Sequence, residues 1–487
     1  MAVSSKHVAI VGGGIAGLAT AFALQERAVE AGIPLACTLI ESEREWGGKI
    51  VTHRVGDFLI EAGPDSFLSQ KPWALDLCAK LGLSDRLLNT NEFRKKTFVF
   101  SRGRLRELPE GLVVIVPAKL GPFLRSGLLS WSGIARMAMD LVLPARRTTG
   151  DESLASFFRR RLGREAFDRV IEPLMAGIYA GDAEQISLNA TFPRFTEMEH
   201  RYGSLIRGML AGRKAVAQSS RNGAPTPTMF VKLRDGLGDM VRTLVTRITE
   251  AGVTLMPERR VTALRVRSSR LGVWTYDVLL ENGPVVSADA VVLATPAYAT
   301  ADLVRSLSPT AAGLLGTISY ASTATISLAY GADEVGSSVR GFGFVVPRVE
   351  GRDLLAATWT SLKWSHRAPT SHVLIRCYVG GVGREAILKT DDKRLVRRVR
   401  EELQSMAGIA AEPTYVEVNR WERGMPQYTL GHLERLETIQ VSLSPYKGLY
   451  LTGAAYRGIG IPDCIRDGSE TAGAVVRYLM AQGVCAE

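Results

Sequence analysis

The sequence predicts an α/β protein: a Rossmann-like dinucleotide-binding domain built from discontinuous segments, a mixed-sheet substrate domain beside it, and a helical insertion. Three observations carry this. The apolar run His7–Val11 leads into Gly12-Gly13-Gly14-Ile15-Ala16-Gly17, an amphipathic stretch from Leu18 to Ala31, and a second apolar run, Cys37–Ile40, ending at Glu41. That order is strand, glycine turn, helix, strand and acid, the βαβ unit that holds an ADP moiety. Far along the chain, Ala288–Pro296 and Gly448–Gly453 read as further strands, each running into a small-residue turn. Between them, Ala324–Tyr330, Gly343–Val346 and His372–Val379 alternate as sheet strands do.

Each part of the first unit has a physical reason. Gly12 permits the tight turn, Gly14 lets backbone approach a pyrophosphate, and Gly17 lets the helix pack against the strand. Free N–H groups and the dipole at the helix start favour an anion. Glu41 is placed to accept hydrogen bonds from ribose hydroxyls. Glycines serving chain reversal alone leave that acid unexplained. Downstream, Glu41 to Lys49 carries the strand into Gly47-Gly48 followed by a cation.

Three segments form the dinucleotide-binding domain: residues 1–90, 226–300 and 411–487. In the second, Asp235-Gly236-Leu237-Gly238-Asp239 opens a helix from Met240 to Ala251, and a strand covers Arg260 to Val266. In the third, Ile461 to Ala481 is largely helical. Residues 91–225 begin with strands and turn mainly helical, an insertion that is a candidate membrane-surface or substrate-channel domain, with helix starts at Asp151–Phe158 and Glu165–Leu174. Residues 301–410 form the substrate-binding sheet. Ser219–Thr228 is polar and reads as a linker.

Composition bounds the function. At 487 residues with 46% hydrophobic content, the chain supports a large core in two or three domains. No signal peptide is expected before the first strand, and no apolar run reaches transmembrane length; Gly111–Leu124 is broken by Pro117, Lys119, Gly121 and Pro122. The chain is therefore expected in the cytoplasm, soluble or peripherally attached to a membrane. Cysteines 37, 78, 377, 464 and 485 are scattered with no CxxC, and the six histidines form no metal-spaced pair, so neither disulfides nor a metal are expected. The net charge of +11 points to an anionic substrate or an acidic surface. Nucleic acid is not expected, because no binding motif accompanies the basic clusters.

The acid, spacer, Gly-Gly and cation of Glu41–Lys49 resemble the FAD site of the amine oxidase superfamily. Over its full length the chain resembles the porphyrinogen oxidase family, which includes protoporphyrinogen IX oxidases and the coproporphyrinogen III oxidases of Gram-positive type. The motifs are Glu61–Phe67, Glu172–Asp182, Thr358–Pro369, Arg420–Tyr428 and Thr452–Ile465. The resemblance implies non-covalent FAD. Gly12, Gly13, Gly14, Ile15, Ala16, Gly17, Glu41 and Lys49 would bind its ADP half. Gly63, Pro64, Asp65 and Ser66 would run beside the isoalloxazine, Val261 would meet adenine through its backbone, and Trp421 would lie near the flavin. Ile459, Gly460 and Ile461 would approach the pyrimidine edge, where the helix start favours negative charge on reduced flavin.

The implied reaction is a six-electron oxidation of a porphyrinogen, with oxygen as acceptor and hydrogen peroxide released, in heme synthesis. The protein's part is binding, orientation and electrostatics; no catalytic acid–base residue is demanded. Asp65 replaces an arginine that plant and animal members use toward a substrate propionate. Lys71 is therefore the first candidate to anchor propionates, ahead of Arg94, Lys95 and Lys96. Gly177, Val345, Leu355 and Trp364 are candidates to line the substrate pocket. A ferrochelatase contact and a homodimer fit the family. The rival readings are another flavin amine oxidase or desaturase, and a non-catalytic binding protein resembling the Rab GDP-dissociation inhibitors. The substrate side groups, vinyl or propionate, stay open.

Overall fold

The computed structural model describes residues 5–91, 96–109, 112–113, 116–117, 126–146, 150–219, 228–268, 274–336 and 338–484. The expected linker lies largely outside these, as do Arg94, Lys95 and most of Gly111–Leu124.

Five parallel strands form the dinucleotide-binding sheet, in the order Thr254–Met256, Leu35–Ile40, Lys6–Val11, Ala290–Leu293 and Leu449–Leu451. Their apolar runs are continuous because both faces are covered. Val8 and Ile10 enter one core, with the helices Ile15–Glu30, Gly238–Glu250 and Ile461–Val484. Ala9 and Val11 enter the other, under an antiparallel sheet, Val261–Ser268, Trp274–Leu280 and Val285–Ala288, and the helices Ala297–Val304, Pro309–Gly316 and His432–Leu443. The C-terminal helix crosses the first helix at Gly468, where a Cβ would stand 2.7 Å from the Ala16 carbonyl oxygen. A larger residue there would push these two helices apart.

The second sheet has seven strands, in the order Tyr415–Pro426, Tyr320–Gly331, His372–Gly380, Leu354–Trp359, Gly343–Val345, Thr97–Ser101 and Arg104–Glu107. This corrects three expected boundaries. Thr97–Glu107 belongs to the sheet rather than the helical insertion, because Thr97–Ser101 pairs in parallel with Gly343–Val345. Tyr415–Pro426 pairs with Tyr320–Gly331 and leaves the dinucleotide-binding segment. The helices through Gly316 pack on the dinucleotide side. Ile326, Leu328, Ile375 and Cys377 point into an apolar core closed by the helix Asp392–Ala407. By the period of two, Thr325, Arg376, Tyr378 and Trp421 face the other way, toward the first domain.

The helical insertion buries its own core around Phe157, Phe158, Phe167 and Phe195. Its hub is the wholly buried Arg161, which donates to Asp140 Oδ1 at 2.6 Å and to the carbonyls of Leu143, Pro144 and Gly203. A π-helical turn, Phe167–Ile171, runs into the helix Glu172–Tyr179, which carries most of the motif Glu172–Asp182.

Candidate cofactor and substrate site

The glycine turn has the shape of a phosphate cradle. Gly12 has φ +109°, and a Cβ there would lie 2.8 Å from the Ala294 carbonyl oxygen. A Cβ on Gly17 would collide with the Gly12 carbonyl oxygen. Around Gly14 nothing lies within 4 Å of where a Cβ would stand, so the backbone faces open space where the pyrophosphate is expected. Ile15 and Ala16 begin the helix with N–H groups that have no preceding turn to serve. Glu41 is oriented by the Gly13 N–H at 2.7 Å and the Glu43 N–H at 2.9 Å. Its carbonyl accepts from Arg259, which brings Val261 to the same end of the groove. The Gly47 N–H donates to the Gly13 carbonyl at 2.8 Å, setting Gly48 against Gly14. Lys49 follows, its pKa lowered by the surrounding protein, with Cys464 acting in the opposite sense. The residues present fit an ADP group.

Beyond this cradle the two domains meet at Glu61–Ser66. The Ala62 carbonyl oxygen accepts from three side chains on three neighbouring strands: Trp421 Nε1 at 2.9 Å, Thr325 Oγ1 at 3.0 Å and Arg376 Nη2 at 3.1 Å. Arg376 Nη2 also donates to the Gly63 carbonyl. A Cβ on Gly63 would strike the Lys49 carbonyl oxygen, so only glycine fits between these strands. Pro64 then leads into Asp65, whose carboxylate accepts from Ser66 Oγ at 2.7 Å and Trp364 Nε1 at 3.3 Å. Burial alone would raise the Asp65 pKa. Lys363, Arg376, Ser66 and Arg367 outweigh it and hold the carboxyl well below its usual range. Arg367 and Glu61, both buried, pair at 3.0 Å. Lys232, wholly buried, donates to the Ser365 carbonyl at 2.7 Å. Burial and the neighbouring Arg367 lower its pKa to about 6, against the pull of Glu61, Asp65 and Asp235.

Ile459 packs against the helical insertion, and Gly460 and Ile461 begin the C-terminal helix. Lys71 is not a free cation: its Nζ bonds both carboxylate oxygens of Asp463, at 2.7 and 2.6 Å, in that helix's first turn. Lys96 is likewise paired, with Glu107 at 2.8 Å. Val345 and Leu355 are half-buried, and Leu355 sits at a β-bulge opposite His372–Gly380. Gly177 is exposed, with open space on its Cβ side. Trp364 is 0% exposed, so it has no face to offer a pocket. Its tie to the site is the indole N–H on Asp65, with Lys363 Nζ 5.1 Å from the ring. Arg376, Tyr378, Thr325 and Lys232 carry weight here that the linear reading did not assign. The available signal was the polar Arg376 and Tyr378 on alternate positions of an apolar strand.

Among the described residues no helix is long and apolar enough to cross a membrane.

The sequence model for flavin-containing amine oxidoreductases matches residues 15–476. The chain is 38% identical to the coproporphyrinogen III oxidase of Bacillus subtilis, covering 99% of this chain and 100% of that protein. It is 33% identical to the Staphylococcus aureus coproporphyrinogen III oxidase, over 98% and 100%. It is 30% identical to protoporphyrinogen oxidase 1 of Arabidopsis thaliana chloroplasts, over 95% and 86%. A crystal structure from Exiguobacterium sp. 255-15, described as a protoporphyrinogen oxidase, superimposes with TM-score 0.84 at 31% identity, covering 98% of this chain and 100% of that one. Cradle, sheet and similarity agree: the chain belongs to the flavin-containing amine oxidoreductase family, alongside the porphyrinogen oxidases it resembles.

Proposed function

We propose that this chain oxidises coproporphyrinogen III to coproporphyrin III in heme synthesis, with non-covalently bound FAD, oxygen as acceptor and hydrogen peroxide as by-product. The observation that carries it is the Ala62–Ser66 segment held between an intact dinucleotide cradle and the polar face of a second sheet. A non-catalytic relative has no need of both. The choice of coproporphyrinogen rests on the full-length similarity to coproporphyrinogen III oxidases. A net charge of +11 suits a substrate with four carboxylates.

When bound, FAD supplies the acceptor for hydride. The chain's own residues do the rest. Gly12–Gly17, Glu41 and Lys49 would hold the ADP half. Thr325, Arg376 and Trp421 fix the Ala62–Gly63 backbone, so the wall beside the reacting carbon does not move. Val345, Leu355 and Gly177 would give an apolar surface for the macrocycle and exclude water. The Lys71–Asp463 pair would meet a substrate carboxylate only by exchanging partners. Buried Cys464 has its Sγ turned toward the Gly458 and Ile459 carbonyls, in keeping with a flavin held without a thioether bond. The cytoplasm, with peripheral membrane attachment through the helical insertion, a homodimer and a ferrochelatase contact, completes the reading. Exposed Trp131, Met139 and Val142 on that insertion support the membrane contact.

The test is growth of porphyrin fluorescence in air with flavin-loaded protein, comparing coproporphyrinogen III and protoporphyrinogen IX at matched concentration. Faster turnover of coproporphyrinogen is expected. A preference for protoporphyrinogen overturns the substrate, and no acceleration of either overturns the oxidase reading.

A further inference from the structure

The clamp on Ala62 also delivers charge. Arg376 is 3% exposed, and its buried Nε has no hydrogen-bond partner among the described residues. Its guanidinium stands 5.0 Å from the Tyr378 ring centroid. Among the described residues it forms no ion pair. The charges nearby do not cancel: Arg367 is matched by Glu61, and one carboxylate, Asp65, faces both Lys363 and Arg376. Lys232, with its pKa near 6, adds no charge at neutral pH. At the C-terminal helix start, Lys71 and Asp463 neutralise each other. Half-exposed Lys363 is screened by solvent, and buried Arg376 shares Asp65 with it, so Arg376 has no carboxylate of its own beside Gly63–Ser66. A buried charge that shares its one carboxylate is only partly compensated, and an added anion beside it is stabilised. Hydride carries one proton and two electrons from the substrate methylene, so its acceptor gains one negative charge.

We propose that Arg376 is the counter-charge for the flavin: a guanidinium locked onto the Ala62 and Gly63 carbonyls that stabilises the negative charge the cofactor gains on reduction. This rests on the flavin lying along Gly63–Ser66, and it assigns Arg376 an electrostatic role distinct from binding substrate carboxylates.

Sulfite tests this without porphyrinogen. It adds reversibly to oxidised flavin as an anion, and bleaching of the flavin band reads its affinity. Arg376→Gln keeps an amide donor on a shorter side chain and loses the charge; sulfite affinity should fall about tenfold, the effect of one unit charge in a partly screened interior. Arg376→Lys should stay near the parent value. Asp65→Asn removes the opposing charge and should tighten sulfite binding, a change of sign that mere loosening of the site would not produce. Unchanged sulfite affinity in Arg376→Gln, or weakening in Asp65→Asn, overturns the proposal. If Arg376→Gln does not fold, Asp65→Asn and Arg376→Lys decide it. Unchanged sulfite affinity in Arg376→Gln with a raised KM for porphyrinogen would move Arg376 to the substrate. A colourless parent protein would refute the cofactor reading, whereas sulfite binding without porphyrinogen turnover would refute the oxidase reading alone.

Discussion

Lys232 shows how one residue stores free energy near the site. It is wholly buried and bonds a carbonyl rather than a carboxylate, so the folded state prefers its neutral form. The unfolded chain keeps this lysine protonated up to its ordinary pKa of 10.5, while the folded chain releases the proton near pH 6. Between those values the unfolded state binds more protons, so this group makes stability rise with pH, by up to about 1.4 kcal/mol per unit. Lys232→Met removes that dependence. Its stability advantage over the parent should be greatest at pH 6 and shrink toward pH 10. Chemical unfolding at several pH values checks this, and a pH-independent difference would contradict it.

At the scale of elements, function depends on strand ends held in place by side chains from elsewhere. Asp467, nearly wholly buried in the C-terminal helix, accepts from Thr452 Oγ1 at 2.7 Å and the Gly453 N–H at 2.9 Å. These bonds tie the turn after Leu449–Leu451 to the helix whose start faces the groove. Asp467→Ala leaves two buried donors unpaired, at a cost of about 2–3 kcal/mol. The unfolding midpoint should fall, and flavin should be lost on desalting. Retention of flavin with an unchanged midpoint would show that the turn holds itself.

For the whole molecule, excess basic charge acts at long range. With a net charge of +11, encounter with a tetracarboxylate should be faster at low ionic strength. The kcat/KM for coproporphyrinogen III should fall with added salt more steeply than for protoporphyrinogen IX, which has two carboxylates. Parallel salt profiles would mean that the charge lies away from the approach path.

The sequence by itself determined the parts whose chemistry is local. A phosphate turn, its helix and the acid ending the next strand are set by neighbours within a few tens of residues, so Gly12–Gly17 and Glu41 could be read directly, as could the buried strands on either side. Only the tertiary structure decided what depends on distant pairing. Thr97–Ser101 and Tyr415–Pro426 joined the seven-stranded sheet because backbone partners were waiting there. Lys71 was neutralised by Asp463, 392 positions along the chain. Trp364 was enclosed, and Arg376 met the Ala62 carbonyl from 314 positions away. Local pattern limits which element forms. Charge balance and burial arise only when separate elements meet, and the electrostatics around Gly63–Ser66 are of that second kind.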